Sequence, residues 1–202
     1  RISKTQSFDI SSSQDRLSGY QAVIKSAELL KNAIPMMITS AGTITAIKFL
    51  ILGIGVAGLQ AIATAKRLGG KVYAFDIRPE TKEQAQSLGA IFVDNINDII
   101  TDIDVVITSA FTSGKKAPVL IKNKILKTMK TGSLLIDMAV SSGGNIKGSQ
   151  ADKTINIFNC QIYGNSNLAS QIPQSASILF ANNLSNFIIF FLAVLLFLFS
   201  KA

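Results

Sequence analysis

Residues 48–78 read KFLILGIGVAGLQAIATAKRLGGKVYAFDIR. An apolar run over 49–52 meets Gly53, Gly55 and Gly58 in the spacing G-x-G-x-x-G. A helix-like segment follows, then a second β-rich run over 72–75 that ends on Asp76. Strand, glycines, helix, strand and terminal acid, in that order, are what a dinucleotide-binding turn requires. Gly53 permits the tight turn out of the strand, Gly55 lets the backbone approach a pyrophosphate, and Gly58 lets the helix pack close to the sheet. The pyrophosphate is expected at the helix N-terminus, where free N–H groups and the positive dipole end favour an anion. Asp76, 18 residues after Gly58, is placed to accept hydrogen bonds from both adenosine-ribose hydroxyls and to repel a 2′-phosphate, which favours NAD over NADP. The guanidinium of Arg78 offsets part of that repulsion.

Outward from this stretch the chain alternates strand and helix. Strands are expected over 48–52, 71–75, 91–93, 104–108 and 133–136, with one or two more over 156–163. Helices are expected over 56–68, 80–88 and 121–129, Pro79 being suited to the start of the second. Apolar strands alternating with helices imply an α/β fold of Rossmann type, a doubly wound parallel sheet covered on both faces, with ligands at the carboxyl ends of the strands. That edge would carry residues 53–58, Asp76, 110–118 and 137–145. Residues 1–19 are polar and serine-rich and read as a loop, 20–30 has helical spacing, and 32–46 reads as a connecting turn. Residues 187–199, FIIFFLAVLLFLF, are 13 consecutive apolar residues. As a helix they would reach roughly 20 Å, short of a ~30 Å hydrocarbon core. With no polar face, the run is expected to meet a membrane, another subunit or a core.

Bulk composition narrows the function. Lys and Arg number 20 against 12 acids, a formal charge of +8. The basic residues are scattered without aromatic interleaving, which argues against nucleic-acid binding. The single Cys160, in the apolar setting IFNCQIYG, excludes an internal disulfide and reads as core. There is no histidine, so zincin motifs and His-based triads are excluded, and no side chain is assigned a catalytic or metal-binding role. The chain starts on Arg1 in mid-pattern and reads as a fragment or a processed chain.

Longer strings carry a resemblance. RISKTQSFDISSSQDRLSGYQAV (1–23), IPMMITSAGTI (34–44), residues 52–90, DVVITSAFTSGKKAPVLI (104–121), GSLLIDMAVSSGGN (132–145) and SQIPQSASILFANNLSNF (170–187) closely resemble the NAD(H)-binding domain I of proton-translocating NAD(P) transhydrogenase. The resemblance implies a Rossmann domain over 47–164 and flanking pieces of a second, incomplete Rossmann-like subdomain. These pieces are a nicotinamide-site loop at 1–19, a linking helix and turn at 20–46 and a return helix at 165–186. An apolar tail at 187–202 lies beyond the match. Residue by residue, it implies that Arg1, Gln6, Asp9 and Ser12 surround the nicotinamide and its ribose. It also implies that Tyr20 opens the linking helix, and that Val56, Asp76, Ile77 and Arg78 hold the pyrophosphate and adenosine. The implied reaction is direct hydride transfer from NADH to NADP⁺ carried on a partner domain, coupled to proton translocation. Such a reaction needs orientation and water exclusion rather than a general acid or base. The implied setting is a homodimer with the NADP-binding domain and a membrane subunit, associated with a membrane on the bacterial cytoplasmic or mitochondrial matrix face. Ser141, Gln171 and Lys116 depart from that family's pattern, and the 93–104 segment is short. An alanine dehydrogenase-like oxidoreductase and a truncated NAD-binding-only domain are the alternatives.

Overall fold

The buried apolar runs form one seven-stranded sheet in the computed structural model, which describes residues 3–111 and 114–199. The chain opens with a 3-10 helix, Ser3–Phe8, followed by α1 (Ile10–Leu30) and a hairpin of β1 (Met37–Thr39) and β2 (Gly42–Ile44). Then come β3 (Lys48–Leu52), α2 (Val56–Arg67), β4 (Lys71–Phe75), α3 (Thr81–Ser87) and β5 (Ile91–Phe92). Two 3-10 turns lead to β6 (Val105–Thr108), and α4 (Asn123–Leu126) to β7 (Leu134–Asp137). The chain continues through β8 (Lys153–Ile157), β9 (Cys160–Gly164) and α5 (Pro173–Phe199).

The strand order is β5-β4-β3-β6-β7-β9-β8, parallel except where β8 pairs antiparallel with β9 at the edge. The chain winds one way from β3 through β4 to β5 and the other way from β6, so the order reverses between β3 and β6. Such a switch point opens a crevice at the carboxyl ends of the strands. The central strands are buried on both faces, and their side chains alternate between two cores. Phe49, Ile51, Val105, Ile107, Leu134 and Ile136 face the α1, α2 and α3 side, whereas Leu50, Leu52, Val106, Leu135 and Leu126 of α4 face the other.

Several elements differ from the sequence expectation. Residues 10–19, expected as loop, are the first half of α1. Asp9 starts the helix by accepting the Ser12 N–H at 3.0 Å, and the segment is polar because most of it lies outside the core. Tyr20 is therefore inside the linking helix rather than at its start. The turn over 32–46 contains the β1–β2 hairpin, whose residues are all exposed and show no alternation between faces. The helix expected over 121–129 is reduced to Asn123–Leu126, and the sheet is not parallel throughout because of β8. The return helix and apolar tail are one 27-residue helix, α5, roughly 40 Å long. Its apolar end is not core. Phe187 is 48 % and Phe199 76 % exposed, and by length and composition alone α5 could cross a membrane.

Helices α1 and α5 run antiparallel. Gln21 Nε2 donates to Gln171 Oε1 at 3.2 Å, Gln14 Nε2 to the Ala176 carbonyl at 3.1 Å, and Asn183 Nδ2 to the Ser7 carbonyl at 2.8 Å. Gly19 abuts Ala57, and a Cβ on Gly19 would sit 2.1 Å from the Ala57 carbonyl oxygen. Since Ala57 lies in the first turn of α2, the nine residues of α1 before Gly19 extend past the start of α2 by roughly 13 Å, off the carboxyl edge of the sheet.

Candidate functional site

The crevice at the switch point is built by the loop after β3. Gly53 has φ +94, and a Cβ there would lie 2.8 Å from the Ala110 nitrogen of the loop after β6. Gly58, in the first turn of α2, has room for hydrogen only, since a Cβ would fall 2.0 Å from the Gly53 carbonyl oxygen. Gly55 is different. It is the N-cap of α2, its φ of −89 suits any residue, and its Cβ direction meets nothing within 4 Å. Two glycines therefore pack the loop against helix and neighbouring strand, and the third leaves a bare backbone facing open space. Val56 begins α2, whose first N–H groups have no intrahelical acceptor. Bare backbone and free N–H groups fit the pyrophosphate of a dinucleotide.

Asp76 closes the constellation from the end of β4. Its Oδ2 accepts the Ile54 N–H at 2.6 Å and Arg78 Nη2 at 2.8 Å. Its Oδ1 accepts the Arg78 N–H at 2.9 Å and Arg78 Nε at 3.0 Å. Arg78 Nη2 also reaches the Ile54 carbonyl at 3.2 Å. Burial pushes the Asp76 carboxyl up, but the Arg78 guanidinium and the N–H groups of Ile54 and Arg78 outweigh it and hold the group below the usual carboxylate range. The sequence expectation of a carboxylate open to ribose hydroxyls needs this addition. Its acceptor positions are already filled by the N–H groups of Ile54 and Arg78 and by the Arg78 guanidinium, whose side chain is half exposed. Ile77, beside it, is 87 % exposed.

The structure brings Gly53, Gly55, Val56, Gly58, Asp76 and Arg78 together, with Ile77 at the rim. Gln6, Asp9 and Ser12 form a second group at the N-terminus of α1. Asp9 Oδ2 also accepts the Ser12 hydroxyl at 2.7 Å, and the Gln6 carbonyl accepts the Asp9 N–H at 3.3 Å. Both groups lie toward the carboxyl edge of the sheet. Arg1 falls outside the described residues.

Sequence reasoning placed residues 110–118 and 137–145 at this edge but assigned no organiser. The structure supplies two. Asn145, fully buried, accepts the Ala110 N–H at 3.1 Å through Oδ1. Its Nδ2 donates to the Ala110 and Pro118 carbonyls at 2.7 and 2.8 Å. Asp137, at the end of β7 and also buried, accepts the N–H groups of Ala139, Asn145 and Ile146 at 3.0 to 3.2 Å. An asparagine in the run SSGGN carries no sequence signal for this role, because its partners are 27 and 35 residues away.

Comparison with known proteins agrees with the fold. The family model described as alanine dehydrogenase/PNT, C-terminal domain, matches residues 22–194. A Rickettsia prowazekii protein, the first of the pieces that make up its NAD(P) transhydrogenase subunit alpha, is 44 % identical, the match covering 93 % of this chain and 56 % of that protein. A transhydrogenase structure from Sinorhizobium meliloti superposes with a TM-score of 0.90 at 48 % identity, covering 93 % of this chain and 57 % of the other. An L-alanine dehydrogenase structure has a TM-score of 0.78 at 23 % identity, covering 89 % and 54 %, which shows the shared fold. The chain spans about half the length of the relatives it matches.

Proposed function

The chain belongs to the alanine dehydrogenase/PNT C-terminal domain family, and from that membership we propose that it is the NAD(H)-binding domain of a proton-translocating transhydrogenase. The observation that carries the reading is the bare Gly55 backbone at the α2 N-terminus, with the carboxylate of Asp76 bonded to the adjoining Ile54 N–H at 2.6 Å. The higher identity to transhydrogenases than to the alanine dehydrogenase structure favours the first activity over the second.

In this reading Gly53, whose own N–H is taken by the Phe75 carbonyl, and Gly58 shape the loop, and Gly55 and Val56 hold the pyrophosphate through the bare backbone and first N–H groups of α2 and its dipole. Asp76 holds the adenosine ribose once Arg78 releases it, Ile77 offers an apolar contact to the adenine, and the carboxylate disfavours a 2′-phosphate. Arg1, Gln6, Asp9 and Ser12 orient the nicotinamide end. The bound NADH supplies the hydride, and the acceptor NADP⁺ belongs to a partner domain. The residues of this chain exclude water and fix the ring face, and none has to move a proton. The domain works as a homodimer against that partner and a membrane subunit, on the cytoplasmic face of a bacterial membrane or its mitochondrial matrix equivalent.

Titration of the chain with NADH and NADPH, read by dihydronicotinamide fluorescence, tests the binding claim. Saturable NADH binding, much weaker NADPH binding and loss of the preference in Asp76→Ala are expected. Equal affinity for the two nucleotides, or no binding to a folded chain, defeats the reading.

A further inference from the structure

Among the described residues of α5, Asn183 is the only buried one. Its Nδ2 donates to the Ser7 carbonyl at 2.8 Å, and Asn186, one turn later, donates to the same oxygen at 3.1 Å. The next residue, Phe8, packs its ring against Phe187 and Phe190 at centroid distances of 6.0 and 5.3 Å. Between 183 and 190, α5 therefore grips two consecutive residues of the 3-10 segment, one by its backbone and one by its ring.

Docking of an apolar helix does not need an asparagine at this point. The Asn183 Oδ1 is buried with no donor among the described residues, an arrangement less favourable than a leucine packed in the same place. The amide does something leucine cannot. With Asn186, it fills both lone pairs of one carbonyl and so fixes the backbone between Gln6 and Asp9. Asp9 is anchored from the other side, by capping α1. The segment is thus held from both neighbours, and it lies toward the carboxyl edge of the sheet, where the dinucleotide loop opens.

We propose that Asn183 and Asn186 are positioning residues for the nicotinamide half of the bound dinucleotide, acting through the backbone of residues 6–9. The proposal rests on the NAD(H)-binding reading above. It gives α5 a task within the site, because the helix fixes how the nicotinamide-facing side chains are presented.

The test compares NADH with ADP-ribose, which is the same ligand without nicotinamide, on the full chain. Asn183→Asp keeps the size but replaces the donor with an acceptor facing the Ser7 carbonyl. It is expected to weaken NADH about fivefold or more, the scale of one lost hydrogen bond, and to leave ADP-ribose within about twofold. The fluorescence gain of bound NADH falls with it. Asn183→Gln, which retains a donor, recovers part of the loss. Asn186→Ala is exposed and safe for folding, and it shifts NADH alone in the same direction by less. If Asn183→Asp and Asn186→Ala weaken both ligands equally, or neither, the proposal is wrong while the NAD(H) reading stands. If the unsubstituted chain binds neither ligand, the NAD(H) reading fails and takes the proposal with it.

Discussion

Replacing Gly55 and Gly58 separately by alanine distinguishes a glycine that serves the ligand from one that serves the fold. At Gly58 the new Cβ would lie 2.0 Å from the Gly53 carbonyl oxygen, whereas real contacts of this kind stay beyond 3.0 Å, so α2 and the loop must part by at least 1.0 Å. The neighbour is backbone and cannot turn aside. Overpacking of this kind costs about 1–3 kcal/mol, and the gain of alanine over glycine within a helix returns about 0.5–1 kcal/mol. A net loss of about 1–2 kcal/mol is expected. At Gly55 nothing lies within 4 Å and φ is −89, so no clash or strain arises. Alanine is a poorer N-cap than glycine by some tenths of a kcal/mol, and its stiffer unfolded chain contributes about 0.4–1 kcal/mol the other way. Stability should stay within about 0.5 kcal/mol of the parent. The methyl nevertheless enters the space assigned to the pyrophosphate, and a clash of about 1–3 kcal/mol weakens NADH roughly 5- to 150-fold. Urea denaturation reads the first quantity and NADH fluorescence the second. Unchanged NADH affinity in Gly55→Ala would refute the assignment of the loop, and a Gly58→Ala protein as stable as its parent would refute the packing argument.

Asp76 has a pKa held below its unfolded value, so its contribution to stability is complete above the unfolded pKa and disappears as pH falls through the lower folded one. Asp76→Asn should therefore flatten the acid limb of a stability–pH curve below about pH 4, and an unchanged limb would show that the Arg78 pairing does not form. Asn145→Ala strips two carbonyls and one N–H of their partners in a buried site, and a loss of about 2–4 kcal/mol in urea denaturation is expected. A chain ending before Phe187 should show less self-association in light scattering than the full chain, because the exposed apolar end of α5 is gone. Identical scattering would mean that this end is already covered.

The centre of the sheet was legible because β3, β6 and β7 are buried on both faces, and stretches such as FLIL, VVIT and LLI have few other ways to bury themselves. The glycine loop was legible because Gly53 and Gly58 answer needs of the backbone within the loop itself, and Gly55 stands at the spacing between them that the motif prescribes. The start of α1 was hidden. Its first half is set by the Asp9 cap and by the close approach of Gly19 to Ala57, and neither leaves a hydrophobic period. The β1–β2 hairpin was hidden because neither of its faces is buried. The partners of Asn145, the occupation of Asp76 by Arg78 and the grip of Asn183 on Ser7 are side-chain bonds reaching beyond the local stretch or filling a site the motif leaves open. Residue type and spacing do not encode them.

The bonds from α5 to Ser7 join residues 176 and 179 positions apart in the chain. Contacts of such separation are slow to form, because nearly the whole domain must first be brought to order between them. During synthesis, Ser7 emerges long before its two asparagines exist. The sheet and the glycine loop can assemble from neighbours, strand by strand, while the segment around Gln6 and Asp9 waits for α5. A nascent chain interrupted before Asn183 would carry the glycine loop while the backbone between Gln6 and Asp9 still lacked its clamp.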